Sequence, residues 1–214
     1  MKKMLFVSSL LVMFVIAPMA MADTLTVART AGTFSGSGGE FTLSFTASPS
    51  IQSFCLETDE FIAIGGTYNF VVNSAAVAGG SGGPSPDPLS IGAAYLYDQF
   101  RQGILAGYNY APGVLREASA GDLQNAIWWL EDEIGNPGNT FSTAVIAFFG
   151  SVAAAKADNT GPGASPVGVL NLYDLRDNSL KQDMLGPVPE PATMLLLGSG
   201  LLGLAGFARK RFKK

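Results

Sequence analysis

Few side chains in this sequence are suited to chemistry. Cys55 is the single cysteine, and it lies in the stretch SFCLETDEF beside three acidic residues, Glu57, Asp59 and Glu60. The chain has no histidine, which excludes Ser-His-Asp and Cys-His catalysis and most zinc sites. A single cysteine also excludes disulfides within the chain and thiolate metal clusters. If the acidic residues lie close to Cys55, their charge disfavours a thiolate, so we do not expect a redox or nucleophilic thiol.

The carboxylates leave two further hypotheses open. Glu57 with Glu60, or Glu131 with Glu133, would provide the acid and base of a glycan hydrolase, although neither spacing is diagnostic and a solvated acidic face explains both pairs. The stretch LETDE offers oxygen ligands for calcium, but it lacks the spacing and the glycine of an EF-hand. Because neither pattern is diagnostic, the sequence predicts a protein that is not an enzyme, with no catalytic residue, no cofactor and no metal site.

Charge and the N-terminus indicate an exported protein. Lys2 and Lys3, an apolar run over residues 5–17 and the A-x-A spacing of Ala20 and Ala22 predict a signal peptide over residues 1–22 and export through the Sec pathway. From residue 23 to residue 190 the chain has all 17 acidic residues and only 6 basic ones, a net charge of −11. Such a body does not bind nucleic acid, which needs a basic surface.

Hydrophobic patterning predicts an α+β fold. Alternation of apolar residues with Thr and Ser predicts N-terminal β-strands, among them IQSFCLET, which carries Cys55, and EFIAI at residues 60–64. Helical spacing then predicts a central cluster of about three helices. The second of these helices is predicted to start at Ser119, with Asp122 completing a capping box. VGVLNLYDL and NSLKQDML predict closing strands, and a transmembrane helix is expected at the C-terminus.

The C-terminal residues 187–214 form a three-part signal. Pro189, Glu190 and Pro191 precede an apolar run over residues 192–208, predicted to form the transmembrane helix, and a basic tail, RKRFKK, follows. The segment resembles the PEP-CTERM sorting signal of Gram-negative bacteria. That resemblance implies processing by an exosortase, a membrane-bound intermediate, and a final place on the cell surface or in the extracellular matrix of a biofilm. Some ice-binding proteins carry the same kind of tail, so the tail indicates where the protein is sorted and says little about what the body does.

The body, residues 23–186, resembles the thioester domain of bacterial surface adhesins. In that family a cysteine that follows an aromatic residue is joined to a glutamine in a TQ-x-A-I-W helix motif; AAYLYDQFRQGILAGYNY also resembles the tyrosine-rich segment of the family. Phe54-Cys55 matches the first motif, and Leu123 stands where the family has threonine. The second motif is matched by Gln124, Ala126, Ile127 and Trp128. The resemblance implies a Cys55–Gln124 thioester shielded from water by Phe54, Tyr95, Tyr97, Trp128 and Trp129.

The resemblance also implies a function. Holding a thiol against a carboxamide in a dry site lets ammonia leave and a thioester form, because proximity supplies on the order of 7–11 kcal/mol of such a barrier. An amine or hydroxyl of a surface target can then open the thioester and become attached through Gln124. The alternative is a structural matrix protein that binds polysaccharide or calcium and keeps Cys55 as a buried, inert thiol. The glycan hydrolase is the third hypothesis.

Overall fold

The computed structural model describes residues 23–35, 38–161 and 163–188. The strands of its first half are β1 (Thr24–Ser35), β2 (Gly38–Phe45), β3 (Ile51–Ser53), β4 (Thr67–Asn73), β5 (Ala75–Ala76) and β6 (Asp87–Pro88). The helices follow: α1 (Ile91–Arg101), α2 (Val114–Leu130), α3 (Thr140–Phe149) and α4 (Val152–Ala155). The closing strands are β7 (Val167–Asp174) and β8 (Leu180–Pro187). The predicted α+β order of strands, helices and strands is confirmed, but the described residues form four helices where about three were expected, because Gly150 ends α3 before α4 begins.

Six strands form one antiparallel sheet in the order β3-β2-β1-β4-β7-β8, and β5 pairs with β6. The chain that leaves β3 then meets β8, the strand at the opposite edge. Leu56 N–H donates to the Asp183 carbonyl and Leu185 N–H donates to the Phe54 carbonyl, both at 3.0 Å. The two edges of the sheet therefore meet at Cys55, which lies between these two bonds.

Alternating strand residues fill the space that the curved sheet encloses. Leu25 and Val27 of β1 and Phe41 and Leu43 of β2 are buried, as expected when every second side chain points to one face. They form one hydrophobic cluster with Cys55 and with residues of β4, β7 and β8. Cys55 is thus placed in this cluster by the closure of the sheet.

The helices form a second core. The Ser90 hydroxyl caps α1 by accepting from Ala93 N–H, and α3 begins with the same kind of cap at Asn139 and ends at Gly150, whose φ is +81°. α2 packs on β1 and β2, while α1 and α3 pack on α2. Fully buried α2 residues on this side include Leu123 and Ile127. The opposite side of α2 faces the sheet.

Three local predictions were wrong. Residues 60–64 form no strand, and the strand that was predicted to carry Cys55 ends at Ser53. α2 begins at Val114 and its N-cap is Gly113, so Ser119 is inside the helix, where its hydroxyl donates to the Leu115 carbonyl. Because Pro112 and Gly113 already interrupt the chain, the helix starts there and the Ser-x-x-Asp pattern is internal.

The predicted signal peptide (1–22), the Pro-Glu-Pro motif and the predicted transmembrane helix (192–208) lie outside the described residues. Within the part of the chain that the structure describes, none of the helices has the length and apolar character needed to cross a membrane.

Candidate functional site

Cys55 occupies an unusual main-chain position. It forms an isolated antiparallel bridge with Met184 of β8, and the hydrogen bonds of that bridge are made by its neighbours, Phe54 and Leu56. In this type of pair the residue's own N–H and C=O point away from the partner strand. The peptide groups of Cys55 therefore need partners on the side that faces β2, whose pairing with this segment ends at Ser53.

The side chain of Gln124 provides both partners. Its Nε2 donates to the Cys55 carbonyl at 2.8 Å, and its Oε1 accepts from Cys55 N–H at 3.1 Å. The carboxamide thus pairs with Cys55 as a peptide unit of a neighbouring strand would. Gly39 N–H also donates to Gln124 Oε1, at 3.5 Å. Gln124 is 1% exposed and Cys55 is 4% exposed, so this contact is shielded from water.

A glycine at the start of β2 makes room for the carboxamide. A Cβ at Gly38 would lie 2.5 Å from Gln124 Cγ and 2.9 Å from Trp128 Cη2, distances that real contacts do not reach. α2 can therefore approach β2 this closely only because residue 38 has no side chain. The sequence does not reveal this close approach, because Gly38 is one of several glycines in the stretch GTFSGSGGE.

Cys55 also lines a cavity of about 290 Å³. Its apolar wall includes Phe41, Phe61, Ile62, Ile64 and Trp128, and its polar wall includes Arg29, Glu57, Thr58, Glu60 and Gln182. Burial raises the pKa of the Cys55 thiol far above its ordinary value, and the nearby charge of Glu60 raises this pKa further. The uncharged thiol is therefore the stable form at neutral pH.

The aromatic residues predicted to surround the bond are divided between the two cores. Trp128 lines the cavity with Cys55, and its buried Nε1 has no hydrogen-bond partner. Phe54, Tyr97 and Trp129 belong to the helical core instead, where Tyr97 donates to the Gln52 carbonyl at 2.7 Å. Tyr95 stacks on Phe148 of α3, with ring centroids 4.3 Å apart. The structure thus brings one of the five aromatic residues to the cavity beside Cys55.

The carboxylates combine differently from the pairs considered in the sequence. Glu57 meets Glu133, and with Asp59 they form a group whose nearest oxygens all lie within 4.8 Å of one another. Glu131 accepts from the hydroxyl of Ser90 at 2.6 Å and from its N–H at 3.2 Å. Glu60 accepts from Asp183 N–H at 2.9 Å. Glu57 and Glu133 are far apart in sequence, so no local spacing could have indicated their contact.

The body is a small α+β domain in which the Gln124 carboxamide is buried against the main chain of Cys55, and Cys55 also lines a cavity. Comparison with known protein families finds a match at the C-terminus, where residues 187–211 match the PEP-CTERM protein-sorting motif. This motif implies an exported protein that is associated with the membrane and processed by an exosortase before release to the cell surface. No curated protein and no solved structure matches the chain. The resemblance of the body to thioester domains therefore has no support from these comparisons.

Proposed function

We propose that the protein is exported through the Sec pathway, sorted by an exosortase, and attached covalently to a surface or matrix target through an internal thioester between Cys55 and Gln124. The observation that carries this proposal is the docking of the Gln124 carboxamide on the main chain of Cys55 through two hydrogen bonds, at 2.8 and 3.1 Å. The reacting carbon of Gln124 is thereby held beside the residue whose side chain would attack it.

The same hydrogen bonds activate the carboxamide. Gln124 Oε1 accepts from two main-chain N–H groups, those of Cys55 and Gly39. Attack by sulfur places negative charge on this oxygen, and preorganised N–H donors stabilise such a charge in a water-excluded site. These donors are present without a hydroxyl at position 123, where Leu123 is fully buried in the helical core.

In this proposal Glu60 is the base. It lines the cavity with Cys55, and burial together with the charge of Asp183 raises its pKa to about 7. A carboxylate with this pKa accepts and returns a proton near neutral pH. In the proposed reaction Glu60 takes the thiol proton, the Cys55 S–Cδ bond of Gln124 forms, the Cδ–Nε2 bond breaks, and the proton leaves with the nitrogen as ammonia.

The product is a buried acyl donor beside the cavity. Thioester formation leaves sulfur uncharged, so it avoids the cost of a buried thiolate beside Glu60. A target amine that enters the cavity attacks the acyl carbon, forms an amide with the Gln124 side chain, and releases the Cys55 thiol with the amine's proton. The burial of Cys55 and Gln124 keeps bulk water from the bond and slows hydrolysis.

Trapping with methylamine tests this proposal. The protein is incubated with methylamine and digested, and the peptide that contains residue 124 is examined by mass spectrometry. We expect N-methylglutamine at position 124 together with a newly titratable thiol at Cys55. The Cys55→Ala variant should show no methylamine adduct, and Glu60→Gln should form less thioester while remaining folded. An unmodified Gln124 in the folded wild-type protein, with a thiol titratable before methylamine is added, would refute the proposal.

A further inference from the structure

Three segments of the chain meet at the acidic group beside the cavity. Glu57 and Asp59 follow the Cys55 bridge, Glu133 follows the end of α2, and the glycine-rich loop of residues 79–83 packs on both. Glu57 is 1% exposed and Glu133 is 8% exposed, while Asp59 is exposed to solvent. The group is thus a buried pair of carboxylates with a third carboxylate at its mouth.

Hydrogen bonds fix the position of Glu133. Its Oε2 accepts from the N–H and the hydroxyl of Thr58, at 2.8 and 2.7 Å, and its Oε1 accepts from Ser81 N–H at 2.7 Å. These bonds tie the Cys55 segment and the glycine-rich loop to the end of α2. The carboxylate is therefore held in one orientation before any ligand arrives.

Glu57 is the observation that points to a ligand. Its Oε2 is completely buried and has no hydrogen-bond partner. Both Glu57 Oε2 and Glu133 Oε1 face the Cα of Gly80, since a Cβ there would lie 1.8 Å from the first oxygen and 2.0 Å from the second. An unpaired carboxylate oxygen inside a protein is costly unless an opposite charge or a donor approaches it.

The ion pairs seen between described residues lie elsewhere. The ion pairs recorded between described residues join Asp98, Glu40, Asp132 and Asp174 to basic side chains, and none includes Glu57, Asp59 or Glu133. Two buried carboxylates held side by side, one with an unpartnered oxygen, favour the approach of a positive charge.

We propose that Glu57, Asp59 and Glu133 bind a divalent cation, and that the cation is Ca²⁺. All three ligands are carboxylates on irregular backbone, which suits a hard ion that accepts six to eight oxygen ligands in variable geometry. A bound Ca²⁺ would cross-link the Cys55 segment to the end of α2 and would hold one wall of the cavity in place. This site does not depend on the Cys55–Gln124 bond, so either proposal can fail alone.

The test is calorimetric and thermal. The full-length protein, purified in detergent and freed of metal with a chelator, is titrated with CaCl₂ at neutral pH, and its melting temperature is followed by circular dichroism. We expect one equivalent to bind and the melting temperature to rise with Ca²⁺ concentration, because an ion that binds only the folded state stabilises it. Affinity in the range of about 10⁻⁴–10⁻³ M is typical of extracellular calcium modules.

Asp59→Asn is the decisive variant because Asp59 is exposed and its loss does not disturb the core. We expect it to weaken Ca²⁺ binding about tenfold, a loss of about 1.4 kcal/mol, while Glu57→Gln and Glu133→Gln abolish binding. Asp122→Asn, which removes one exposed carboxylate elsewhere on α2, is the matched control and should bind as the wild type does. An unchanged melting temperature with Ca²⁺, equal binding by Asp59→Asn and the wild type, or tighter binding of Mg²⁺ than of Ca²⁺ would overturn the proposal.

Discussion

The Gln124 side chain should stabilise the fold whether or not it forms a thioester. Gln124→Met keeps the length of the side chain but removes the acceptor for Cys55 N–H and the donor to the Cys55 carbonyl. Both are buried main-chain groups, and the bridge to Met184 leaves them no other strand to pair with. The comparison is made in a Cys55→Ala background, which keeps these main-chain groups but cannot form the bond.

The expected magnitude follows from the two groups left without partners. Each buried, unsatisfied N–H or C=O costs about 1–3 kcal/mol, so Gln124→Met should lower the free energy of unfolding by about 2–5 kcal/mol. For a domain of this size each kcal/mol lowers the melting temperature by about 2–4 °C. A fall of about 4–20 °C is therefore expected.

Urea unfolding of the Cys55→Ala protein, with and without Gln124→Met, measures this difference. The matched control is Gln99→Met on the partly exposed side of α1, which should change stability by less than about 0.5 kcal/mol. If Gln124→Met changed stability no more than the control does, the buried peptide groups of Cys55 would not depend on the Gln124 side chain for their hydrogen bonds, and the expected loss would be refuted.

Three further substitutions probe the elements that hold the site. Gly38→Ala should destabilise the protein by about 1–3 kcal/mol, because its methyl group would overlap Gln124 Cγ. Two nitrogens of Arg116 contact the fully buried Glu40 carboxylate at 2.7 Å. Arg116→Met leaves this carboxylate as an unpaired charge, so it should lower the free energy of unfolding in urea by about 3–5 kcal/mol. Glu131→Gln should flatten the pH dependence of stability, because burial raises the pKa of this carboxyl from 4.5 to about 8.

The controls for these substitutions come from the same chain. Gly135→Ala adds a methyl group where no atom lies within 4 Å, so it should not destabilise. Arg101→Met removes an ion pair at the surface, which is worth at most about 1 kcal/mol. Equal effects of Gly38→Ala and Gly135→Ala, or of Arg116→Met and Arg101→Met, would contradict the packing and the buried ion pair.

The sign of the Glu131 prediction follows from proton linkage. The folded state binds the Glu131 proton more tightly than the unfolded chain does, so wild-type stability should fall as pH rises from 4.5 to about 8. One pKa unit corresponds to about 1.4 kcal/mol. Across this pH range the free energy of unfolding of Glu131→Gln should therefore rise by about 3–5 kcal/mol relative to that of the wild type. Parallel pH profiles for the two proteins in thermal unfolding would show that this carboxyl is not the cause.

The sequence predicts the elements better than their ends. Alternation at Leu25, Val27, Phe41 and Leu43 predicts strands because one face of each strand is buried, and all four residues are buried. The strand predicted at residues 60–64 is absent because those residues have no neighbouring strand to pair with. Phe61 is exposed and Ile62 is only partly buried, so apolar composition alone misled the prediction there.

The site depends on contacts between distant residues, which local patterns cannot predict. Cys55 and Gln124 were expected to meet through a resemblance to a family, and the structure places the carboxamide of one on the main chain of the other. Gly38 and Gly80 were not expected to matter, because a glycine that permits a close approach looks the same in a sequence as one in a turn. The Glu57–Glu133 contact likewise depends on how α2 ends against the Cys55 segment.

Intact mass is the measurement that tests the proposed thioester most directly. The freshly purified folded protein is weighed by mass spectrometry beside its Cys55→Ala and Gln124→Met variants. We expect a wild-type mass below that of its sequence by one ammonia, no such deficit in either variant, and no titratable thiol in the wild type. A wild-type mass equal to that of its sequence, with one titratable thiol and an intact glutamine at position 124, would contradict it.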